Sequence, residues 1–443
     1  MLFKLKVLFY YLNFRIEKKI TDNHQLALHQ TKRMNTYAEK VLAKSTFYKK
    51  YFKNNKLDWN AIPVIDKEIY MEKFDEINIA GVRKTEAMTV ALHSERSRDF
   101  TSKINGLTVG LSTGTSGKRG LFLVSETERA KWAALMLLKV IPPKIFKRQK
   151  ISFFLRANSN LYSSVNSIFF QFSYYDIFKP VENYLEDLNK YFPDILAAQP
   201  SILYELALLK SRGALKINPV KIISFAEVLN DPEKIFIQET FGCRIVEVYQ
   251  CTEGVLGFTC DYGVMHLNER FIHFEKEYIE GKRFYPVITD FSRKSQPIAR
   301  YKLNDILIEK KNTCLCGSIF LSIEKIEGRE DDVLVFIENG KLVKLFPDII
   351  SRKIAHYTGN FVRYKIEEVD FNVLKIFIET HDVPGTGRMF TVALEELFTE
   401  RKIQNIELLF YDKVQHNLGC KYRRIQRCIP DDIFESKVKS LPQ

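Results

Sequence analysis

The pattern of apolar and polar residues changes twice along the 443-residue chain. Over residues 1 to about 80, apolar and aromatic side chains recur at helical spacing, which predicts a helical start. From about residue 105, short β-rich runs alternate with helical segments. These runs predict strands at LTVGLS, LFLVS, ISFFLRA (151–157), VKIISFAE (220–227) and RIVEVYQ (244–250). DPEKIFIQETFG, between the last two, predicts a helix and therefore a β-α-β arrangement.

The helix that follows LFLVS has a recognisable start. Ser125 and Glu128 have the spacing of a capping box, in which the two side chains satisfy each other's backbone N–H groups. The pattern predicts that this helix runs through Trp132 and Leu138.

The C-terminal part of the chain has a pattern of its own. DVLVFIENGKLVKLFP alternates around Asn339-Gly340, a dipeptide that tolerates the positive φ angles of a tight hairpin turn. A helix, the strands VRYKIEEVDF and VLKIFIET, a helix at ALEELFTERK and the strand NIELLFY are expected after it. We therefore expect a large domain over residues 1–328 and a small α+β domain over residues 329–443, joined at the polar stretch EGREDD.

Composition narrows the class of protein. Hydrophobic residues make up 46% of the chain and charged residues 27%, which is ordinary for a soluble globular protein. The net charge of +13 is compatible with nucleic acid, anionic lipid or a polyanionic substrate, but the basic residues are scattered, so no nucleic-acid partner is expected. Seven cysteines in a chain of this length do not suggest a disulfide framework, which favours a reducing, cytoplasmic location.

The first 19 residues, MLFKLKVLFYYLNFRIEKK, mix apolar residues with cations. The apolar run from Val7 to Phe14 is too short to span a bilayer, and no small-residue cleavage site follows it. Two interpretations stay open. The segment is an amphipathic helix packed on the body of the protein, or it makes a peripheral contact with a membrane surface.

The stretch LSTGTSGKRG, Leu111 to Gly120, combines glycines, hydroxyl side chains and cations. Glycines let backbone N–H groups approach a ligand, and hydroxyl groups donate hydrogen bonds, so the stretch predicts a phosphate-binding loop. It is not a Walker A loop, because Ser112 lies five residues before Gly117, Lys118 is followed by Arg119, and a strand follows instead of a helix.

The loop resembles the phosphate loop of the adenylate-forming enzymes, the acyl-CoA synthetase superfamily, and four further motifs follow in that family's order. SFAE (224–227) is similar to the family's Gly-Ala-Glu, with Phe225 where glycine is usual. YQCTEG (249–254) resembles Tyr-Gly-x-Thr-Glu, with Gln250 in place of glycine. PIARYKLND (297–305) and EGREDD (327–332) resemble the Ile-Arg-Tyr-x-x-x-Asp and Gly-Arg-x-Asp-Asp motifs.

AEKVLAKSTFYKKYF and LFPDII are similar to segments of the branch that contains phenylacetate-CoA ligase and coenzyme F synthetase. The resemblance covers essentially the whole chain. It implies an α/β multidomain fold, with an N-terminal domain of mixed sheets and helices that binds ATP and the acyl substrate, and a small, mobile α+β domain.

The resemblance also implies a role for each motif. Thr252, near the α-phosphate, and Glu253, as the Mg²⁺ ligand, are implied to be catalytic, and Asp331 and Asp332 are implied to form the hinge. Asp305 is implied to bind the ribose, and Arg329 to reach it. The full nucleotide-binding set is Ser112, Thr113, Gly114, Thr115, Ser116, Gly117, Lys118, Ala226, Glu227, Tyr249, Gln250, Asp305 and Arg329.

Adenylation needs a cation near the α-phosphate, where negative charge builds up. In the superfamily a lysine near the C-terminus has this role, and HNLGCKYRRIQR (416–427) resembles that segment. We therefore assign Lys421 as catalytic, with Lys413 as the alternative. Arg300 is either a site residue or a partner in a structural ion pair.

Four residues suggest a second site. Cys260, His266, Cys314 and Cys316 form a set of three cysteines and one histidine that suits tetrahedral Zn²⁺, although separate buried thiols would leave the same pattern. Relatives in the phenylacetate-CoA ligase branch carry a similar arrangement, some with zinc, so the resemblance implies a structural zinc at residues 260–316. His273 is the competing histidine.

The implied reaction is ATP-dependent activation of an aryl or other acyl carboxylic acid through an acyl-adenylate, followed by transfer to coenzyme A. Two alternatives stay open. The acyl group could pass to an amine or to an internal nucleophile, or the chain could be a degenerate nucleotide-binding protein, as the departures at Phe225 and Gln250 would allow. The implied cofactors are ATP, Mg²⁺ and zinc, and the oligomeric state stays open.

Overall fold

The computed structural model describes residues 2–112, 119–140, 148–155, 170–358, 363–380, 382–414 and 421–441. Within these ranges the helices are α1 (Leu2–Ile16), α2 (Asn23–Lys40), α3 (Thr46–Lys49), α4 (Lys67–Glu72), α5 (Phe74–Ile77), α6 (Lys84–Ser97), α7 (Glu126–Val140), α8 (Leu185–Tyr191), α9 (Pro200–Ser211), α10 (Asp231–Phe241), α11 (Pro347–Thr358), α12 (Val383–Arg401) and α13 (Asp431–Lys439). Short 3₁₀ turns lie at Leu42–Lys44, Val181–Tyr184 and Glu330–Asp332.

The strands in the same ranges are β1 (Phe52–Lys53), β2 (Lys56–Leu57), β3 (Lys103–Ile104), β4 (Leu107–Leu111), β5 (Leu121–Val124), β6 (Gln149–Leu155), β7 (Phe170–Asp176), β8 (Ile195–Ala198), β9 (Lys221–Phe225), β10 (Ile245–Gln250), β11 (Val255–Thr259), β12 (Met265–Leu267), β13 (Ile272–Tyr278), β14 (Arg283–Asp290), β15 (Ile298–Lys302), β16 (Asp305–Glu309), β17 (Ser322–Arg329), β18 (Leu334–Glu338), β19 (Lys341–Leu345), β20 (Arg363–Asp370), β21 (Val373–Glu379), β22 (Glu407–Tyr411) and β23 (Ile425–Arg427).

The prediction of a mixed α/β fold is confirmed. The largest sheet has the order β13-β14-β16-β17-β12-β11-β10-β9-β8-β6-β7, and β15 pairs with β14. Strands β10, β9, β8, β6 and β7 are parallel neighbours, whereas β10, β11 and β12 are antiparallel. The parallel pairing of β9 with β10 across helix α10 confirms the predicted β-α-β arrangement.

Alternate residues of the parallel strands pack on opposite faces of this sheet, as the twofold repeat of a strand requires. On one face, Leu196 and Ile222 pack with residues of α8, α9 and α10. On the other, Ile195 and Ile223 pack with Leu135 of α7. Because both faces are covered, the carboxyl ends of these strands are the edge at which a site can form.

Two local predictions are confirmed in detail. At the start of α7, the Ser125 backbone N–H donates to Glu128 Oε2 at 2.7 Å and the Glu128 N–H donates to Ser125 Oγ at 3.3 Å, which is the predicted capping box. Strands β18 and β19 pair around Asn339 and Gly340, whose φ angles are +50° and +74°. Both turn residues therefore have the positive φ values that the dipeptide indicated.

The chain divides into two compact units: residues 1–303 with 308–325, and residues 304–307 with 326–443. The second unit has the sheet order β22-β21-β20-β23, and its core joins this sheet to α11 and α12 through residues such as Ile350, Ile376 and Leu394. None of the helices in the described ranges combines the length and the apolar content needed to cross a membrane.

Candidate active site

Two of the sequence motifs lie side by side at one edge of the large sheet. In the parallel pair β9–β10, Ser224 is opposite Glu247 and Phe225 is opposite Val248. The SFAE and YQCTEG segments therefore leave the sheet at its carboxyl end as neighbours. In open α/β sheets this edge is the usual place for a ligand.

The turn after β9 has a constrained backbone. Ala226 has a φ of +72°, which is unusual for a residue other than glycine and recurs at functional sites. Its neighbour Glu227 accepts a hydrogen bond from the Ser201 N–H at 3.1 Å, at the N-terminus of α9. Phe225, the departure from the family pattern, stacks on Phe153 at 5.2 Å and so fills space against the sheet face.

The turn after β10 presents the predicted metal ligand. Glu253 Oε2 accepts from the Thr252 hydroxyl at 2.9 Å, and Oε1 accepts from the Tyr301 hydroxyl at 3.0 Å. The turn is closed by the Cys251 N–H, which donates to the Gly254 carbonyl at 3.0 Å. A Cβ at position 254 would lie 2.7 Å from Asp290 Oδ2, so glycine is needed there.

The segment just before Tyr301 is held by residues from the helical N-terminal part of the chain. Tyr70 donates to the Pro297 carbonyl at 2.8 Å and Tyr48 to the Ala299 carbonyl at 3.1 Å, while the Ile298 N–H donates to the Tyr37 hydroxyl at 3.0 Å. These contacts position the start of β15, the strand that carries Tyr301. Burial, with the Glu253 charge, raises the pKa of Tyr301 well above its usual value, so its hydroxyl stays protonated and donates.

Asp290, behind the Glu253 turn, was not singled out in the sequence. Its Oδ1 accepts from the Ser292 N–H at 2.7 Å and hydroxyl at 2.6 Å. Burial nevertheless raises its pKa from 3.8 to about 6, because the charged form loses its hydration. The folded protein therefore holds this proton more tightly than the unfolded chain does.

We expect this carboxyl group to make the protein's stability depend on pH. The folded pKa lies above the unfolded one, so the Asp290 contribution to the free energy of unfolding falls as the pH rises from about 4 to about 6, by about 3 kcal/mol in total. Asp290→Asn should be the more stable protein above pH 6, and its advantage should shrink towards pH 4. Urea unfolding of both proteins between pH 4 and pH 6 measures the difference in their free energies of unfolding. A difference that does not change with pH would contradict a raised pKa for Asp290.

The base of the predicted phosphate loop is well defined. Ser112 and Gly120 close the β4–β5 hairpin. The Ser112 N–H donates to the Gly120 carbonyl at 2.8 Å, and the Gly120 N–H donates to Ser112 Oγ at 2.7 Å. Arg119 pairs with Glu95 and donates to the Ser112 carbonyl at 3.0 Å, so its charge is compensated. The rest of the predicted loop lies outside the described residues: Thr113, Gly114, Thr115, Ser116, Gly117 and Lys118.

The predicted ribose and hinge residues are brought together in the second unit. Asp305 Oδ1 lies 3.4 Å from Arg329 Nε. Asp332 Oδ2 accepts from the Arg329 N–H at 2.7 Å, and a Cβ on Gly328, whose φ is +151°, would lie 2.9 Å from that oxygen. Glycine at the head of the Gly-Arg-x-Asp-Asp motif thus makes room for the carboxylate of Asp332, a predicted hinge residue.

The hinge carboxylates also hold the segment that carries the predicted catalytic lysine. Arg423 Nη1 lies 2.9 Å from Asp331 Oδ2, and Arg423 also pairs with Asp332. Lys421, two residues earlier, is half-buried, whereas the alternative Lys413 is exposed beyond β22. Residues 415–420, between the two lysines, lie outside the described residues, and both assignments stay predictions.

Arg300 makes the contacts of a structural residue. Its guanidinium pairs with both carboxylate oxygens of Glu275, with Nη2 to Oε2 at 2.9 Å, and Nη1 donates to the Ile62 carbonyl at 2.6 Å. This pairing is the structural alternative that the sequence left open.

Most of the chain is similar to known proteins in sequence or in fold. No family model matches the chain. Protein CapK of Staphylococcus aureus is 22% identical over 430 residues, which cover 92% of this chain and 90% of that protein. A structure of 2-hydroxyisobutyryl-CoA ligase, in the postadenylation state with 2-HIB-AMP, superposes with a TM-score of 0.62 at 15% identity and covers 93% of this chain and 90% of that one.

A second solved structure comes from a protein of different activity. The amide bond synthetase McbA from Marinactinospora thermotolerans superposes with a TM-score of 0.53 at 10% identity and covers 75% of this chain and 69% of that one. This chain has the fold of the adenylate-forming ligases. The predicted fold is thereby confirmed, whereas the phenylacetate-CoA ligase branch stays a prediction.

The four residues of the predicted zinc site converge. The ligand atoms of Cys260, His266, Cys314 and Cys316 all lie within 4.8 Å of one another. Cys260 Sγ is 3.6 Å from Cys314 Sγ, too long for a disulfide bond of about 2 Å and close to the edge of a tetrahedron with Zn–S bonds of about 2.3 Å. The set fits a closed structural site.

The surroundings of His266 also suit a metal ligand. Nε2 faces Cys316 Sγ at 3.3 Å, while Nδ1 lies 3.1 Å from the Phe320 carbonyl. A ring whose Nδ1–H donates to a carbonyl presents Nε2 as the electron-pair donor, which is the usual arrangement in metal sites. The competing His273 instead contacts Gln30 Oε1 through Nδ1 at 2.9 Å.

We expect the purified protein to contain one zinc ion per chain, and Cys314→Ser to lose it. Loss of a closed structural site should lower the melting temperature by about 5 °C or more, because metal-binding energy contributes to folding. Elemental analysis and a thermal melt measure both effects. The exposed Cys428→Ser should keep the metal and the melting temperature. Protein without zinc, even after incubation with Zn²⁺, would contradict this prediction.

Proposed function

We propose that this protein activates a carboxylic acid with ATP, forming an acyl-adenylate and pyrophosphate. The observation that carries the proposal is the placement of Glu253. It lies at the carboxyl end of a parallel strand, beside the Ala226–Glu227 turn, and Tyr301 and Thr252 orient its two oxygens. The fold shared with adenylate-forming ligases supports the same activity.

In this proposal the nucleotide binds at the sheet edge where the SFAE and YQCTEG motifs lie side by side. The hydroxyl groups and Lys118 of the phosphate loop bind the β- and γ-phosphates, while Ala226, Glu227, Tyr249 and Gln250 surround the adenine and the α-phosphate. Asp305 accepts hydrogen bonds from the ribose, supported by Arg329 at 3.4 Å.

The residues at the β10 turn fit a magnesium ion. Mg²⁺ prefers oxygen ligands, and Glu253 offers a carboxylate whose orientation is set by two hydroxyl donors. Glu253 would hold the ion, which when bound would offset the negative charge of the ATP phosphates.

The chain's own groups then support an in-line displacement. A carboxylate oxygen of the acid forms a bond to the α-phosphorus as the bond from that phosphorus to pyrophosphate breaks. Thr252 and Lys421 stabilise the charge that builds on the α-phosphate oxygens. Arg423, anchored on Asp331 and Asp332, positions the segment that carries Lys421 within its unit.

We propose coenzyme A as the acyl acceptor, with its thiol attacking the acyl carbonyl and AMP leaving. An amine or an internal nucleophile is the second candidate. Both kinds of chemistry occur among the similar structures, since one is a 2-hydroxyisobutyryl-CoA ligase in complex with 2-HIB-AMP and CoA and another is an amide bond synthetase.

A degenerate nucleotide-binding protein is the opposing possibility. Phe225 and Gln250 depart from the family pattern. The retained Glu253, Asp305 and Arg329 and the ordered hydrogen bonds around Glu253 favour an enzyme, because a site without chemistry has no need to orient that carboxylate.

Pyrophosphate release tests the proposal. The assay contains ATP, Mg²⁺ and a panel of aryl, fatty and N-acylamino acids, each with and without coenzyme A or an amine. We expect release that depends on one class of acid, and the acceptor that raises turnover identifies the second step. ATP binding without acid-dependent release, with every acid tested, would favour the degenerate alternative.

A further inference from the structure

Helix α1 is apolar on two opposite faces, and its inner face is firmly attached. Phe3, Val7, Tyr10 and Phe14 pack against the small residues Ala130, Ala133 and Ala134 of α7. The Phe14 ring meets Phe271 at 5.1 Å, and Arg270 donates to the Lys18 carbonyl at 2.9 Å just beyond the helix. The orientation of α1 on the protein is therefore fixed, and its outer face cannot turn inward.

The outer face of α1 carries large apolar side chains that are 49–78% exposed. At 100° per residue they lie within an arc of about 120°, along one side of a helix about 22 Å long. We call this row the α1 stripe; it consists of Leu2, Leu5, Leu8, Phe9, Leu12 and Ile16. A contiguous apolar row of this size on a protein surface marks an interaction site.

The charges around the α1 stripe select the kind of partner. The helix contains no acidic residue, and at 100° per residue Lys4 and Arg15 border the stripe on one side. Lys6 borders the other side, where it is paired with Glu126 of α7 at 2.7 Å. Lys18 and Lys19 follow at its end, and the whole chain carries a net charge of +13. A second copy of the chain would bring like charges together, whereas an anionic surface would complement them.

A cavity of about 390 Å³ lies beside the C-terminal half of α1. Its walls are mostly aromatic and aliphatic, and Ile16 belongs both to this lining and to the α1 stripe. Its lining carries two cations, Arg33 and Lys131, and two carboxyl groups, Glu17 and Asp290, and Arg33 lies 3.5 Å from Glu17. Because these charges offset one another, the cavity adds apolar surface beside the stripe but no preference for an anion.

We propose that the α1 stripe docks the protein onto an anionic lipid bilayer. The helix lies in the plane of the interface, with its stripe among the acyl chains, its flanking cations at the headgroups and its inner face still on α7. This is the geometry of interfacial amphipathic helices. The inference does not depend on the proposed function.

Vesicle flotation of the full chain tests this docking. We expect the protein to float with vesicles of phosphatidylcholine and phosphatidylglycerol, to float poorly with phosphatidylcholine alone, and to be released by high salt. Leu5→Glu combined with Phe9→Glu should weaken binding by about 100-fold or more, since it removes two apolar contacts and adds repulsion. Arg15→Gln combined with Lys19→Gln should weaken it by about 10- to 30-fold.

The matched control is Val220→Glu combined with Ile235→Glu, which alters two apolar side chains that are 65% and 54% exposed elsewhere in the same unit. It should float like the wild type, and all variants should keep the wild-type thermal melt. The proposal is overturned if the wild-type protein does not float with anionic vesicles, or if the control variant loses as much vesicle binding as the stripe variant. It is also overturned if the stripe mediates self-association without lipid while the stripe variant still binds vesicles. If the stripe variant does not fold, the variant Arg15→Gln with Lys19→Gln tests the proposal instead. Flotation of that variant at the wild-type level would then contradict the proposal.

Discussion

Replacing Glu253 with glutamine is expected to lower the rate of acid-dependent pyrophosphate release by about 100- to 1,000-fold. Glutamine keeps the shape of the side chain, and its amide oxygen can still accept from Tyr301, so the turn should stay folded. What the variant loses is the negative charge that, in the proposed function, would hold magnesium beside the phosphates. Initial rates at saturating ATP, followed by phosphate-coupled detection of pyrophosphate, measure the effect.

The control for this variant is Glu247→Gln, on the same strand. Glu247 pairs with Lys234 at 2.6 Å in a structural contact, so its loss should leave the rate within about twofold of the wild type. Raising the Mg²⁺ concentration should recover part of the Glu253→Gln activity, because weaker metal binding is offset by mass action. A Glu253→Gln protein with wild-type activity would remove Glu253 from the site.

Replacing Lys421 with alanine is the second large expected effect. We expect the adenylation rate to fall by about 100- to 1,000-fold while ATP affinity changes little, because in the proposed function the lysine would act mainly on charge that develops as the α-phosphorus is attacked. Single-turnover formation of pyrophosphate, together with ATP titration, separates the two quantities. The stability of the variant should be close to that of the wild type, since Arg423 and Tyr422 keep their anchors on Asp332 and the Tyr364 carbonyl.

Lys413→Ala provides the comparison. This lysine is exposed beyond β22 and is the alternative candidate, so we expect the variant to retain near-normal turnover. Collapse of turnover in Lys413→Ala together with normal turnover in Lys421→Ala would exchange the two assignments. Normal turnover in both variants would mean that neither lysine acts on the α-phosphate.

The parts of the fold that depend on local pattern could be predicted from the sequence. The β9–α10–β10 unit, the Ser125–Glu128 capping box and the Asn339-Gly340 hairpin each follow from residues a few positions apart, whose geometry the backbone dictates. The motifs that end β9 and β10 could be located for the same reason.

The contacts that orient the site could not be predicted in this way. Tyr301, which donates to Glu253, is 48 residues away, and Arg423 is 91 residues from Asp332. Such pairs are set by the packing of whole elements, so spacing along the chain carries no signal for them. Tyr301 lies within the PIARYKLND motif, but its role was not predicted from the sequence. Asp290 belongs to none of the motifs, and only its position behind Gly254 in the structure shows that it adjoins the site.

The predicted zinc site could be located only in part from the sequence. The sequence named the four residues, but the tight Cys-x-Cys spacing left separate buried thiols as an alternative. The pairing of β11 with β12, and the turn at Cys314–Gly317, bring groups from about 50 residues apart within 4.8 Å of one another. Whether the cluster holds zinc stays a prediction for elemental analysis.

The central claim is that an acid's carboxylate oxygen becomes bonded to the α-phosphorus of ATP at the Glu253 edge of the sheet. Turnover with a carboxylate labelled with ¹⁸O, using an acid that supports pyrophosphate release, tests this bond directly. The account predicts that AMP is formed and carries one ¹⁸O atom in its phosphate, with none in pyrophosphate. Formation of ADP with ¹⁸O in inorganic phosphate would contradict it, because the acid would then have attacked the γ-phosphorus.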